Sequence, residues 1–140
     1  DLEEECTRYT SLLSQFPTDI VCLGIGENGH IAFNDPDVAN FNDHKLVKIV
    51  KLDHVCRQQQ VNEKCFETLE QVPTEALTLT IPALLKAKWM FCIVPFKNKS
   101  QAVYRTIHGD ISEKCPASIL RRKEKSSLYL DTESAQLLNL

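Results

Sequence analysis

Leu2, Cys6, Tyr9, Leu13 and Phe16 recur every three or four positions, and Glu3, Glu4 and Glu5 crowd the first turn, where a helix dipole favours negative charge. The pattern predicts an opening helix that stops at Pro17. The apolar run Ile20–Leu23 is too short for a helix and meets Gly24 and Gly26, so it reads as a strand entering a tight turn. Residues 45–52 alternate lysine with Val47 and Ile49, the period of a strand with one wetter face. Asp53 then caps a helix whose apolar positions, Val55, Cys56, Val61, Cys65, Phe66 and Leu69, carry it toward Pro73.

The second half repeats this order. EALTLT is a strand, IPALLKA a short helix with Pro82 in its first turn, and KWMFCIVP a continuous apolar run suited to a strand covered on both faces. Lys99 to His108 forms a helix closed by Gly109, Pro116 opens another through Leu120, and SSLYLD is the last strand. Strands alternating with helices predict an α/β fold: three layers, a mostly parallel Rossmann-like sheet with helices on both faces. With no internal repeat or linker, residues 1–140 read as a single α/β domain. The count of about five strands is low for that fold, and the chain opens on a helix.

Composition narrows the class. A chain of 140 residues with 43% hydrophobic content has enough apolar material for a core. Its net charge of −3 and pI near 5.8 supply no basic field for nucleic acid. Arg121, Arg122, Lys123 and Lys125 form a local basic cluster, read as a solvated helix end and turn. The six cysteines follow neither a paired metal motif nor a disulfide framework, and no secretory leader precedes them. They are expected to be reduced thiols in a cytoplasmic protein. No stretch approaches the ~18 apolar residues of a membrane span.

Candidate chemistry concentrates in VCLGIGENGHIAFNDP, residues 21–36. Ligands of open parallel sheets gather at the carboxyl ends of strands, and this loop follows one. Gly24, Gly26 and Gly29 allow a sharp turn, with Gly26 and Gly29 letting backbone approach a ligand. The glycine rhythm resembles a dinucleotide loop, but Pro36 interrupts the long helix that such a site needs. His30 is the candidate acid/base group, because imidazole takes and gives protons near neutrality. Asp35 beside one ring nitrogen would fix the tautomer and stabilise the imidazolium, and Asn28 would orient the ring or a substrate hydroxyl. Lys99 begins a helix after the strand FCIVP, a second strand-end position fit for phosphate. His44, His54 and His108 read as surface or capping residues.

LGIGENGHIAFNDP resembles the signature of glucosamine-6-phosphate deaminases, also called isomerases. The likeness continues from Asp19 through QVPTEALTLTIPALLKAK and GDISEKCPAS into LYLD. It implies conversion of glucosamine 6-phosphate and water to fructose 6-phosphate and ammonia, with no metal or organic cofactor. The implied partner is a phosphorylated amino sugar; neither nucleic acid nor membrane is implied. By resemblance His30 opens the sugar ring with help from Asp35 and Asn28, an enediol-type intermediate carries the proton between C2 and C1, and Lys99 binds phosphate.

Three departures accompany the likeness. Many members have Asp and Glu where this chain has Asn28 and Asp35. Arg57 matches the first of two family arginines five residues apart, while Asn62 occupies the place of the second, which contacts phosphate; Arg57 is thus a weaker substrate-binding candidate. The family's amino-terminal half, with a phosphate loop and the aspartate that takes the C2 proton, has no counterpart here. Residues 1–140 are therefore expected to be the carboxy-terminal portion of a larger sugar-phosphate isomerase domain. An apolar edge so left would be inclined to associate, and a homo-oligomer stays open. Two other readings remain: a 6-phosphogluconolactonase-like hydrolase, less suited to the IAFNDP tail, and a non-catalytic sugar-phosphate-binding module.

Overall fold

Local chemistry sets most boundaries in the computed structural model, which describes residues 1–139. Helix α1 (Leu2–Gln15) starts where the Asp1 carboxylate accepts the Glu3 N–H. It leads into β1 (Ile20–Leu23). Strand β2 (Val47–Lys51) is followed by α2 (His54–Asn62), capped by Asp53, whose Oδ1 accepts the Cys56 N–H at 2.6 Å. The apolar pattern predicted a longer α2. It ends at Asn62 because the chain turns out of helical geometry at Lys64, with φ of 60°, leaving Cys65, Phe66 and Leu69 outside.

Strand β3 (Glu75–Leu79) runs into α3 (Ile81–Leu85), where the Thr80 hydroxyl caps Ala83 N–H and Pro82 occupies the first turn. Strand β4 (Trp89–Val94), helix α4 (Ser100–His108) and strand β5 (Ser126–Leu130) complete the regular elements. The expected helix at Pro116 is a 3-10 helix, Pro116–Arg122.

The three-stranded sheet is parallel, in the order β1-β4-β5, with Val21 beside Met90 and Cys92 beside Leu128. Strands β2 and β3 instead pair with each other, antiparallel, in a separate sheet that sets Ile49 opposite Leu77. Alternation along the chain reports strand spacing, not partner. Both strands are only partly buried, which suits antiparallel pairing.

Met90, Cys92 and Val94 enter the core with Ile31, Ile81, Val103 and Ile119. The opposite face of the same sheet is open: Ile20, Trp89, Ile93 and Tyr129 are 45–55% exposed. The apolar run of β4 suggested cover on both sides, but strand alternation buries every second residue, and the described residues cover one face only.

Two members of the basic cluster are spent on carbonyls. Arg121 donates to Ile107 O and Gly109 O, Lys123 to Leu85 O and Ala87 O, and Lys125 lies over the Trp89 ring. All six cysteines are free, with Cys22 and Cys65 exposed. Among the described residues, no helix is long and apolar enough to cross a membrane.

Candidate active site

The loop after β1 is shaped around one imidazole. Gly26 N–H donates to His30 O and Gly29 N–H to Gly26 O, both at 2.9 Å, folding the segment back on itself. Gly29 has φ of +91°, and a Cβ there would lie 2.8 Å from Cys115 Sγ. At Gly26 a Cβ would lie only 2.1–2.4 Å from three atoms of the His30 ring, so absence of a side chain makes the space the histidine fills.

Neighbouring elements hold the loop tip. Glu27 N–H donates to Gln59 Oε1 on α2 at 3.2 Å, Asn98 Nδ2 donates to Glu27 Oε1 at 2.7 Å, and Arg105 of α4 donates to Glu27 O at 3.3 Å.

Beneath it lies a buried polar cluster. His30 is 8% exposed and Asp35 fully buried. His30 Nδ1 lies 2.7 Å from Asn28 Oδ1 and 3.0 Å from Asp35 Oδ1. Both are acceptors, so Nδ1 carries a proton, and in the neutral tautomer Nε2 is the nitrogen with the lone pair. Asn28 Nδ2 donates to Asp35 Oδ1 at 3.0 Å and to Asp53 Oδ2 at 2.8 Å, and its Oδ1 accepts the His30 N–H at 3.0 Å. Asn28 thus separates two carboxylates while orienting the ring.

Burial pushes the Asp35 carboxyl up, but hydrogen bonds from His30 and Asn28, the charge of His30 when its ring is protonated, and the Asp53 N–H outweigh it and hold the group below its ordinary value. Cys56, on the first turn of α2, is fully buried beside Asp35. Burial first, then the charges of Asp35 and Asp53, pushes its thiol up to about 12. Ligand atoms of His30, Asp35 and Cys56 lie within 4.8 Å of one another, close enough to hold a metal ion. In this arrangement they serve each other: Nδ1 is a donor, Asp35 an acceptor, and Cys56 a protonated thiol.

His30 also lines a cavity of about 370 Å³. Gly26 reaches its wall, as does Lys99, which is 6% exposed. Lys99 Nζ lies 3.3 Å from Glu63 Oε1, an oxygen that also accepts Gln59 Nε2 at 2.7 Å. One hollow therefore holds an imidazole with a free nitrogen and a buried ammonium.

The structure brings together Asn28, His30, Asp35, Gly26, Gly29 and Lys99. It does not bring Arg57, whose guanidinium donates to Leu69 O at 2.7 Å and Val72 O at 2.9 Å and is absent from the cavity wall. Arg57 ties α2 to the segment before β3, sharing Leu69 O with the Val72 N–H of the 3-10 turn and satisfying Val72 O beyond its end. Sequence reasoning missed Cys56, Gln59 and Glu63. Their spacing of three and four residues marks one face of α2, yet nothing in the pattern says that this face meets the glycine loop.

Residues 1–129 match the family described as glucosamine-6-phosphate isomerases and 6-phosphogluconolactonase. The chain belongs to this family. A relative named glucosamine-6-phosphate deaminase, from Bacillus cytotoxicus, is 41% identical over 137 residues, 98% of this chain and 50% of the relative. The chain thus spans about half the length of that curated relative. A solved structure described as a monomeric glucosamine-6-phosphate deaminase superposes with a TM-score of 0.90 at 38% identity, covering 98% of this chain and 55% of the other. The 6-phosphogluconolactonase from Trypanosoma cruzi shares the fold at a TM-score of 0.71 and 18% identity, over 98% of this chain and 52% of the other. Within the family, the deaminase members lie nearer to this chain than that lactonase in both sequence and shape.

Proposed function

We propose that this chain carries the ring-opening and phosphate-holding part of a glucosamine-6-phosphate deaminase, within the cytoplasm. The observation that carries the reading is the locked imidazole: Nδ1 is held by Asn28 Oδ1 and Asp35 Oδ1 while Nε2 stays free on a ring lining the cavity of Lys99.

Such a group does what opening a cyclic sugar requires. Nε2 removes the proton of the anomeric hydroxyl, the C1–O5 bond breaks as the C1 carbonyl forms, and the imidazolium returns the proton to O5. Asp35, kept ionised, stabilises the imidazolium between those transfers. The net reaction of the whole enzyme moves hydrogen from C2 to C1, and water then replaces the amine at C2, giving fructose 6-phosphate and ammonia. Lys99 pairs with the phosphate in place of Glu63 and so fixes the distance between phosphate and His30.

Calorimetric titration with glucosamine 6-phosphate, beside an assay of ammonia release, tests this. The reading expects binding that weakens in Lys99→Met, and loss of turnover on the closed-ring sugar in His30→Ala with part of the binding retained. Binding of 6-phosphogluconate but not of glucosamine 6-phosphate would overturn it in favour of the lactonase chemistry.

A further inference from the structure

Phe96 sits where its backbone argues against it. It follows β4 and Pro95 with φ of 79° and ψ of 146°, a region that L side chains rarely occupy and glycine adopts freely. The conformation is held from both sides: Phe96 N–H donates to Asp131 Oδ2 at 2.9 Å, and its carbonyl accepts the Lys99 N–H at 3.1 Å. Asp131 is itself braced, accepting the Ser134 N–H at 2.7 Å.

Packing offers no compensation for that strain. The Phe96 residue is 61% exposed, so its ring adds little to the core. It does line the cavity that contains His30 and Lys99. An aromatic ring in the same cavity wall as the Lys99 ammonium presents a flat apolar surface to whatever the hollow holds. A hexose ring has one face made largely of C–H groups, the complement of such a surface.

We infer that Phe96 is a specificity-determining residue, its ring covering the apolar face of a phosphorylated hexose whose phosphate rests on Lys99. The inference rests on the cavity being a sugar-phosphate site. The hydrogen bond from the Phe96 N–H to Asp131 then fixes the backbone that carries the ring before the ligand arrives, so only the side-chain torsions remain to be ordered on binding.

The test compares the wild-type chain with Phe96→Gly and Phe96→Tyr by thermal melting and by titration with glucosamine 6-phosphate and with inorganic phosphate, which has no sugar to cover. Phe96→Gly should melt about 2–6 °C higher through relief of strain. It should bind the sugar phosphate about tenfold more weakly, as expected for roughly 60 Å² of ring no longer covered, and leave inorganic phosphate unaffected. Phe96→Tyr should bind as the wild type does. Equal sugar-phosphate affinity in wild type and Phe96→Gly overturns the inference alone, as does an equal loss for both ligands, which would make Phe96 a support for the Lys99 loop. A wild-type chain that binds no sugar phosphate overturns the cavity reading and this inference together.

Discussion

Gly26 and His30 occupy one another's space: the imidazole lies where the Cβ of any other residue at position 26 would be. Gly26→Ala must therefore displace the ring from Asn28 Oδ1 and Asp35 Oδ1. The variant should lose about 1–3 kcal/mol of stability in urea titrations and, under the proposed function, all sugar ring-opening activity. A melting curve and turnover equal to those of the wild type would show that the ring has another resting place.

Asn28 lies between the carboxylates of Asp35 and Asp53. Asn28→Asp replaces the bridging donor with a third acceptor. Denaturation at neutral pH should show a loss of about 1–3 kcal/mol, shrinking as acid protonates one member of the trio. The double variant Asn28→Asp with Asp53→Asn restores a donor opposite and should regain part of the loss.

Asp35 also gives the fold a signature in acid. Its carboxyl is held below the ordinary value in the folded chain, so ionised Asp35 favours folding. That contribution is complete above the unfolded value of about 3.9, and it is lost as pH falls through the folded value, because the unfolded chain takes up the proton first. Asp35→Asn should be less stable at neutral pH and show a shallower loss between about pH 4 and the folded value. An unchanged slope in acid titrations followed by circular dichroism would remove Asp35 from the linkage.

Arg57 and Lys99 should separate stability from binding. Arg57→Met loses two bonds to carbonyls of the segment before β3 and should cost about 1–3 kcal/mol while leaving affinity for inorganic phosphate unchanged. Lys99→Met should weaken phosphate binding at least tenfold by titration calorimetry, because it removes the buried ammonium of the cavity. Weakened phosphate binding in Arg57→Met, in a chain that still folds, would restore the arginine to the site.

The open face of the three-stranded sheet predicts solution behaviour. Ile20, Trp89, Ile93 and Tyr129 form an exposed apolar surface that should bind a hydrophobic dye and promote self-association. Trp89→Lys with Ile93→Lys should reduce both, as read by dye fluorescence and sedimentation. An undiminished dye signal would place the apolar surface elsewhere.

Much of this arrangement was legible in the sequence wherever the cause is local. The 3.6-residue spacing located α1, Gly109 marked the end of α4, Pro82 marked the first turn of α3, and the glycines after Ile20–Leu23 marked a tight turn. That His30, Asp35 and Asn28 come together was legible because all three lie on that one loop. What stayed hidden depends on contact across the chain. The pairing of β2 with β3, the end of α2 at Asn62, and Gln59 and Glu63 facing the cavity follow from packing that periodicity does not encode. That Arg57 lies outside the cavity wall was hidden for the same reason: its guanidinium donates to Leu69 O and Val72 O, contacts that no periodicity encodes.

Trp89 is the chain's single tryptophan, and it stands on the uncovered side of β4 with Lys125 Nζ 4.7 Å from its ring centroid. Intrinsic fluorescence will therefore report on that surface and not on the core. Native emission should already lie toward the red and be open to acrylamide, so denaturation will move it little. A shift toward the blue, with protection from the quencher, would instead signal that another polypeptide surface has settled over the sheet.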